Sequence, residues 1–390
     1  MSRVGTLLDQ ARSQTGLGSF GEENFREGLE VLVRSLDEEA GLNEAGRVAQ
    51  DGQIVHFLAC RMQVEDWYAR HPEIDEQEIV APVIGLGLPR TGSTAFGCLL
   101  GEDPGVRVLR LWEAAQPCPP PETATEHSDP RIATMAAGLA RQDIIQPRMK
   151  TMLPLSPTSP TECQSFMGYT FKSQQFMATA YIPSYAHWLN HEAEMVSTYR
   201  YVKRVLKLLQ WRCPPHRWRL KNPSNSLFID AVDEVFPDAR FWMTHRDVAQ
   251  VVPSVCDLYY EMAKPFTDHV DKLALGRQNV DFTALGQRRV IAFRDDKGQD
   301  ARFFDIQFAT FQADPMPAIA GLYEFLAEDL TDTAKTRMAA WWEASRRKKP
   351  AGDRTDPGDF GLDTARLHEV FRFYTDRYGV NLSRPAIAAA

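Results

Sequence analysis

The stretch Val83-Ile84-Gly85-Leu86-Gly87-Leu88-Pro89-Arg90-Thr91-Gly92-Ser93-Thr94 restricts the fold more than any other part of the chain. An apolar run breaks into a glycine-bounded, hydroxyl-rich loop and returns to an apolar pattern over Ala95 to Leu100. The pattern predicts a strand, a tight turn and the start of a helix. Gly87 and Gly92 permit dihedrals that a side chain forbids, which frees the N–H groups of Thr91 to Thr94 to point at an anion. Ser93 and Thr94 add hydroxyl donors and Arg90 a fixed positive charge, so a phosphate cradle is expected. The Gly87-to-Gly92 spacing is that of a Walker A loop, G-x-x-x-x-G-K-[ST], but Ser93 stands where the lysine belongs. The competing reading at this point is a glycine turn joining a core strand to a helix.

With 390 residues, 44% of them apolar, the chain can bury a large core; its length suggests two to three domains or one large domain with insertions. A net charge of -8 argues against a general nucleic-acid binder. Met1 to Phe20 is too polar for a signal peptide, and no stretch approaches the roughly 20 apolar residues of a membrane span, so a cytoplasmic, soluble protein is expected. Six cysteines lie far apart with no C-x-x-C pair or metal spacing, which predicts reduced, mostly buried thiols.

Residues 1–78 read as a helical N-terminal extension, with apolar periodicity over Phe25 to Ala40 and Ala45 to Arg70 and a stop at His71-Pro72. Residues 79–390 read as an α/β domain with helical insertions. Strands are predicted in the apolar run that starts at Val83 and at Val106–Leu109, Trp218–Leu220, Arg240–Thr244 and Phe303–Phe308. Helices are predicted at Pro130–Lys150, Tyr185–Trp211, Ser226–Phe236, Val248–Ala263, Pro315–Ala327, Thr331–Arg347 and Asp363–Tyr378. Pro117 to Pro121 reads as a rigid surface segment. Apolar strands alternating with helices imply a parallel sheet covered on both faces, with ligands at the carboxyl ends of its strands. The polar clusters fall at those ends: the Arg90 loop, Trp112-Glu113, Lys221-Asn222-Pro223, and His245-Arg246-Asp247 with Ser254. Arg246 and Ser254 can present a guanidinium and a hydroxyl to one phosphate, so two anion sites imply a ligand phosphorylated at two places.

Gly87 to Thr94 resembles the phosphosulfate-binding loop of the sulfotransferase family, and Arg246-Asp247 with Val251-Val252-Pro253-Ser254 resembles its 3′-phosphate motif, in the family's order. The similarity runs from about Ile79 to the C-terminus and is nearest to the bacterial branch with a helical N-terminal extension. The resemblance implies a P-loop NTPase-like three-layer fold with a central parallel sheet. It also implies transfer of a sulfuryl group from 3′-phosphoadenylyl sulfate (PAPS) to a hydroxyl or amine, releasing adenosine 3′,5′-bisphosphate.

Carried over to these positions, Pro89, Arg90, Thr91, Gly92, Ser93 and Thr94 hold the 5′-phosphosulfate and Arg246 and Ser254 the 3′-phosphate. Arg347 and Lys348 open a segment similar to the family's R-K-G-x-x-G, with Lys349 in place of the glycine. The K-T-H-x-P histidine of the cytosolic aryl and steroid members is missing from Lys221-Asn222-Pro223. Glu113 fits the place of the glutamate used elsewhere in the family and is the expected general base, with His187 and His245 as alternatives. Lys221 is expected to stabilise the leaving phosphate oxygen, alongside Arg90. A sulfuryl group carries less charge than a phosphoryl tail, so fixed cations and backbone donors suffice and no metal is expected. Aromatic residues at Phe166, Tyr169, Phe171, Tyr181, Tyr185 and Trp188 hint at an apolar or aromatic alcohol as the small-molecule acceptor. An ATP-dependent small-molecule kinase with a variant Walker loop and a catalytically inactive nucleotide-binding regulator are the alternatives.

Overall fold

The computed structural model describes residues 2–213, 217–347 and 355–382. Five parallel strands form its sheet: β1 (Val83–Gly87), β2 (Val106–Val108), β3 (Arg217–Lys221), β4 (Arg240–His245) and β5 (Phe303–Gln307), in the order β2-β3-β1-β4-β5. The glycine loop therefore leaves the central strand. In β1, Gly85 stands opposite Trp242 of β4, and a Cβ on Gly85 would lie 2.1 Å from the Trp242 ring. That close approach accounts for a glycine inside a central strand.

Successive strand residues face opposite sides of a sheet. Ile84, Leu86, Phe241 and Met243 enter one apolar core, while Val83, Trp242 and Ile306 enter a second core with Phe96, Phe311 and Trp342. Both faces are thus covered, which makes three layers. Ser226 Oγ accepts from the Gly87 N–H at 2.8 Å and pins the end of β1 to the turn that follows β3.

Ahead of the sheet run α1 (Arg3–Thr15), α2 (Arg26–Glu38) and α3 (Glu44–Arg70). Ser2 and Asn43 side chains cap the first and third by accepting from Gly5 N and Gly46 N. Leu29, Leu32, Val33 and Leu36 give α2 one buried face, and the core they enter is the one that contains Ile84 and Phe241. Arg61 of α3 is fully buried. It donates to the carbonyls of Phe20 (2.7 Å), Glu22 (2.6 Å) and Tyr169 (3.2 Å) and lies over the rings of Phe25 and Tyr201. One buried guanidinium thereby ties the N-terminal helices to the 164–211 region.

Several details differ from the sequence reading. The polar segment at the N-terminus folds as α1, and Lys272–Asp295 forms a helix that the periodicity did not announce. Tyr185–Trp211 is two helices, Pro183–His191 and Val196–Trp211. The stretch predicted helical over 226–236 is a 3-10 turn, Pro223–Phe228, followed by Ile229–Val235. Pro117, Pro120 and Pro121 are buried rather than a surface segment. Phe166, Tyr169, Phe171 and Tyr185 are wholly buried, packed ring to ring with Phe57, Phe176 and Trp188. They are core and do not line an acceptor pocket. All six cysteines are free thiols, and no helix among the described residues is long and apolar enough to cross a membrane.

Candidate active site

The loop has the strand, tight turn and helix start that its sequence predicts. Gly87 (φ 106°), Arg90 (φ 61°) and Gly92 (φ 84°) all adopt left-handed backbone between β1 and α4 (Ser93–Leu100). A Cβ on Gly92 would stand 3.1 Å from the rings of Phe308 and Phe311, so the position demands glycine on two counts. Gly92 is also the N-cap of α4 and brings no side chain to cap it, which leaves the first-turn N–H groups to a ligand. Thr91 is buried, and its hydroxyl is spent inside the protein, donating to the Leu88 carbonyl at 2.7 Å and meeting Thr244 Oγ1. Its backbone N–H is what remains for a ligand.

Arg90 is half-buried. Its Nε donates to Ser254 Oγ at 3.1 Å and its Nη1 to the Met152 carbonyl at 2.8 Å. Of the five N–H donors of a guanidinium, three make no hydrogen bond among the described residues. Arg246, at the end of β4, donates from Nη1 to the Arg90 carbonyl at 2.8 Å, is steadied by Gln250 Oε1, and lies 4.3 Å over the Phe308 ring. Burial, and then the charge of Arg90, lower the Arg246 pKa from its ordinary value. An anion bound between the two cations relieves both effects. The two anion sites read from the sequence are thus parts of one continuous basic cluster.

Lys221, at the end of β3, is buried and donates from Nζ to Glu162 Oε1 at 2.8 Å and to Thr94 Oγ1 at 3.3 Å. Glu162 has a side chain 30% exposed, and its second oxygen accepts from Gln164 Nε2 at 3.1 Å. The backbone brings it there. The segment 157–161 pairs with the chain leaving β2: Leu111 N donates to the Ser159 carbonyl, Trp112 N to Pro157 and Thr161 N to Leu109.

The expected bases stand elsewhere. Glu113 is 0% exposed, with one oxygen 2.7 Å from Arg107 Nη2 and the other accepting from the Arg110 N–H at 3.0 Å. It closes the first turn of the helix Leu111–Ala115 and pairs with a buried arginine, with no face open to an acceptor. His245 is buried, joined to Asp305 (2.8 Å) and Tyr374 and stacked on Tyr378. His187 lines an open groove of about 460 Å³ with Val31, Arg34 and Trp188, which shares no residue with the cradle. Arg347 is exposed at the end of its helix, while Lys348 and the rest of 348–354 lie outside the described residues.

Sequence reasoning missed Glu162, Phe308 and Gln250. Gln250, four residues after Arg246 at the start of a helix, was open to detection from spacing alone. Glu162 carried no local signal, because backbone pairing with residues some 50 positions earlier puts it beside Lys221.

Residues 82–332 match the model of the sulfotransferase family. The fold superposes on sulfotransferase STF9 from Mycobacterium avium with a TM-score of 0.91, at 31% identity over 99% of this chain and 99% of that one. Sulfotransferase STF1 from Mycobacterium tuberculosis H37Rv gives 0.85, at 28% identity over 95% of this chain and 98% of that one. No curated protein sequence matches the chain.

Proposed function

Because the chain belongs to the sulfotransferase family, we propose that it moves a sulfuryl group from PAPS to a hydroxyl or amine of a small molecule, with Glu162 rather than Glu113 as the proton acceptor. The observation that carries this reading is the Lys221 ammonium, which touches the cradle at Thr94 and the carboxylate of Glu162 at once.

The N–H groups of residues 91–94, the Ser93 and Thr94 hydroxyls and the free N–H groups of Arg90 suit a phosphosulfate, with Pro89 shaping the loop. Arg246 and Ser254 suit the 3′-phosphate, and the Phe308 ring under the Arg246 guanidinium helps to hold that cation in place. We extend the same role to Arg347 and Lys348, as the family motif suggests. In the transfer step the acceptor oxygen forms its bond to sulfur as the bond from sulfur to the bridging phosphate oxygen breaks. Glu162 takes the acceptor's proton, and Lys221 together with Arg90 stabilises the charge that grows on the departing phosphate. No metal is needed in this scheme.

The chemistry falls within 79–390, with 1–78 as a helical extension packed on it, and we place the protein in the cytoplasm. Family membership disfavours the kinase alternative. With the aromatic stripe in the core, the acceptor is proposed only as a small-molecule hydroxyl or amine. Calorimetry with adenosine 3′,5′-bisphosphate in EDTA, followed by an acceptor screen with radiolabelled PAPS, tests the reading. Tight binding without a divalent ion is expected; binding of MgATP alone would overturn it.

A further inference from the structure

On the sulfotransferase reading, we infer that Arg148 is a positioning residue for the donor site, acting through a short strap that sets the direction of Arg90. The strap is the helix Pro147–Met152. At its C-terminal end the Met152 carbonyl accepts from Arg90 Nη1 at 2.8 Å. At its N-terminal end Arg148 reaches across to the helix Val248–Ala263, pairing with Asp257 at 3.1 Å and with Glu261, while Gln146 Nε2 donates to the Glu261 carbonyl at 2.7 Å.

Ser254, Asp257 and Glu261 are spaced three and four residues apart, so they lie along one face of that helix. A single face thus holds both ends of the arrangement. Ser254 takes Arg90 Nε, and the two carboxylates hold the strap whose carbonyl takes Arg90 Nη1. Asp257 also accepts from Thr355 Oγ1 at 3.0 Å, and Glu261 pairs with Lys264. Two acceptors at right places fix the plane of the Arg90 guanidinium and leave its other N–H groups aimed outward. A fork oriented in advance gives up less side-chain freedom when it meets an oxyanion.

Arg148 itself is 44% exposed, so removing its charge does not open the core. Among the described residues its ion pairs are with Asp257 and Glu261 and not with Glu162 or Lys221, so its loss reaches the site through Arg90.

The test compares wild type, Arg148→Met and Arg148→Lys by calorimetry with adenosine 3′,5′-bisphosphate, with hydrogen exchange read over 146–153. Arg148→Met is expected to weaken the bisphosphate about tenfold, raise exchange in the strap, and raise KM for PAPS with KM for the acceptor unchanged. Arg148→Lys restores part of each effect. Unchanged affinity in Arg148→Met, whether or not the strap loosens, would overturn the inference, as would weaker affinity with the strap's exchange unaltered. Failure of the wild type to bind the bisphosphate would overturn the donor-site reading, and this inference with it.

Discussion

Arg90 Nε donates to Ser254 Oγ at 3.1 Å across 164 residues of sequence, joining the loop after β1 to the helix after β4. The residues read as holding opposite ends of one donor are in direct contact, and Arg246 completes the link by donating to the Arg90 carbonyl. The three residues are therefore joined in one hydrogen-bonded unit with the Arg90 fork at its centre. Arg90→Lys keeps the charge but removes the fork, and an ammonium cannot serve Ser254, Met152 and an oxyanion in one plane. Affinity for adenosine 3′,5′-bisphosphate is expected to fall by about tenfold or more, read by calorimetry. Affinity equal to wild type would remove Arg90 from the site.

Glu162→Gln keeps shape and hydrogen-bonding reach but cannot accept a proton. Transfer is expected to drop by about 10²–10⁴-fold, with bisphosphate affinity little changed. The measurement is single-turnover transfer from radiolabelled PAPS beside calorimetry. Retained turnover would end the role proposed for Glu162.

Glu113→Gln separates a structural carboxylate from a chemical one. The substitution leaves Arg107 buried beside a neutral group, and breaking such a pair costs about 3–5 kcal/mol. A lower urea midpoint is expected, with kcat per folded molecule close to wild type. A stable Glu113→Gln protein without activity would return the proton to Glu113.

Acid sensitivity is expected from Asp305, which joins His245 to Arg294 behind the Arg246 strand end. Burial alone raises its pKa, but hydrogen bonds from Arg294 and His245 outweigh burial and hold it well below the ordinary carboxylate range. The folded state thus binds this proton more weakly than the unfolded chain. The resulting stability is fully present above the unfolded value, about 3.9, and drains away as pH falls toward the folded value. Urea unfolding from pH 7 to pH 3 should show Asp305→Asn less stable at pH 7 and losing less stability than wild type below about pH 4. Parallel pH profiles for the two proteins would count against this origin.

The five strands were legible because each is a short apolar run ending in a polar cluster, and a doubly covered parallel sheet demands that pattern. The four strands predicted with both bounds, β2 to β5, begin and end within a residue of them, and β1 begins at Val83 with its apolar run. The aromatic stripe from Phe166 to Trp188 was ambiguous for a physical reason. Ring-rich helical segments look alike whether they line a cavity or fill a core; packing against Phe57 and Phe176 puts Tyr169, Phe171 and Tyr185 in the core, while Trp188 also lines the groove beside His187. The same holds for His245, whose position after β4 suits chemistry, while Asp305 and Tyr374 occupy both its nitrogens.

The sequence by itself determined the cradle. Gly87, Arg90 and Gly92 set its backbone through dihedrals confined to a few residues, so its backbone N–H groups are placed by neighbours in the chain. The carboxylate that faces it was decided only by tertiary structure. Glu113 and Glu162 are chemically the same group, and the nearer candidate in sequence is taken by Arg107 and the Arg110 N–H. Pairing of 157–161 with the chain after β2 delivers the other to Lys221. A contact between residues 59 positions apart depends on how the backbone closes on itself, which spacing and composition do not encode.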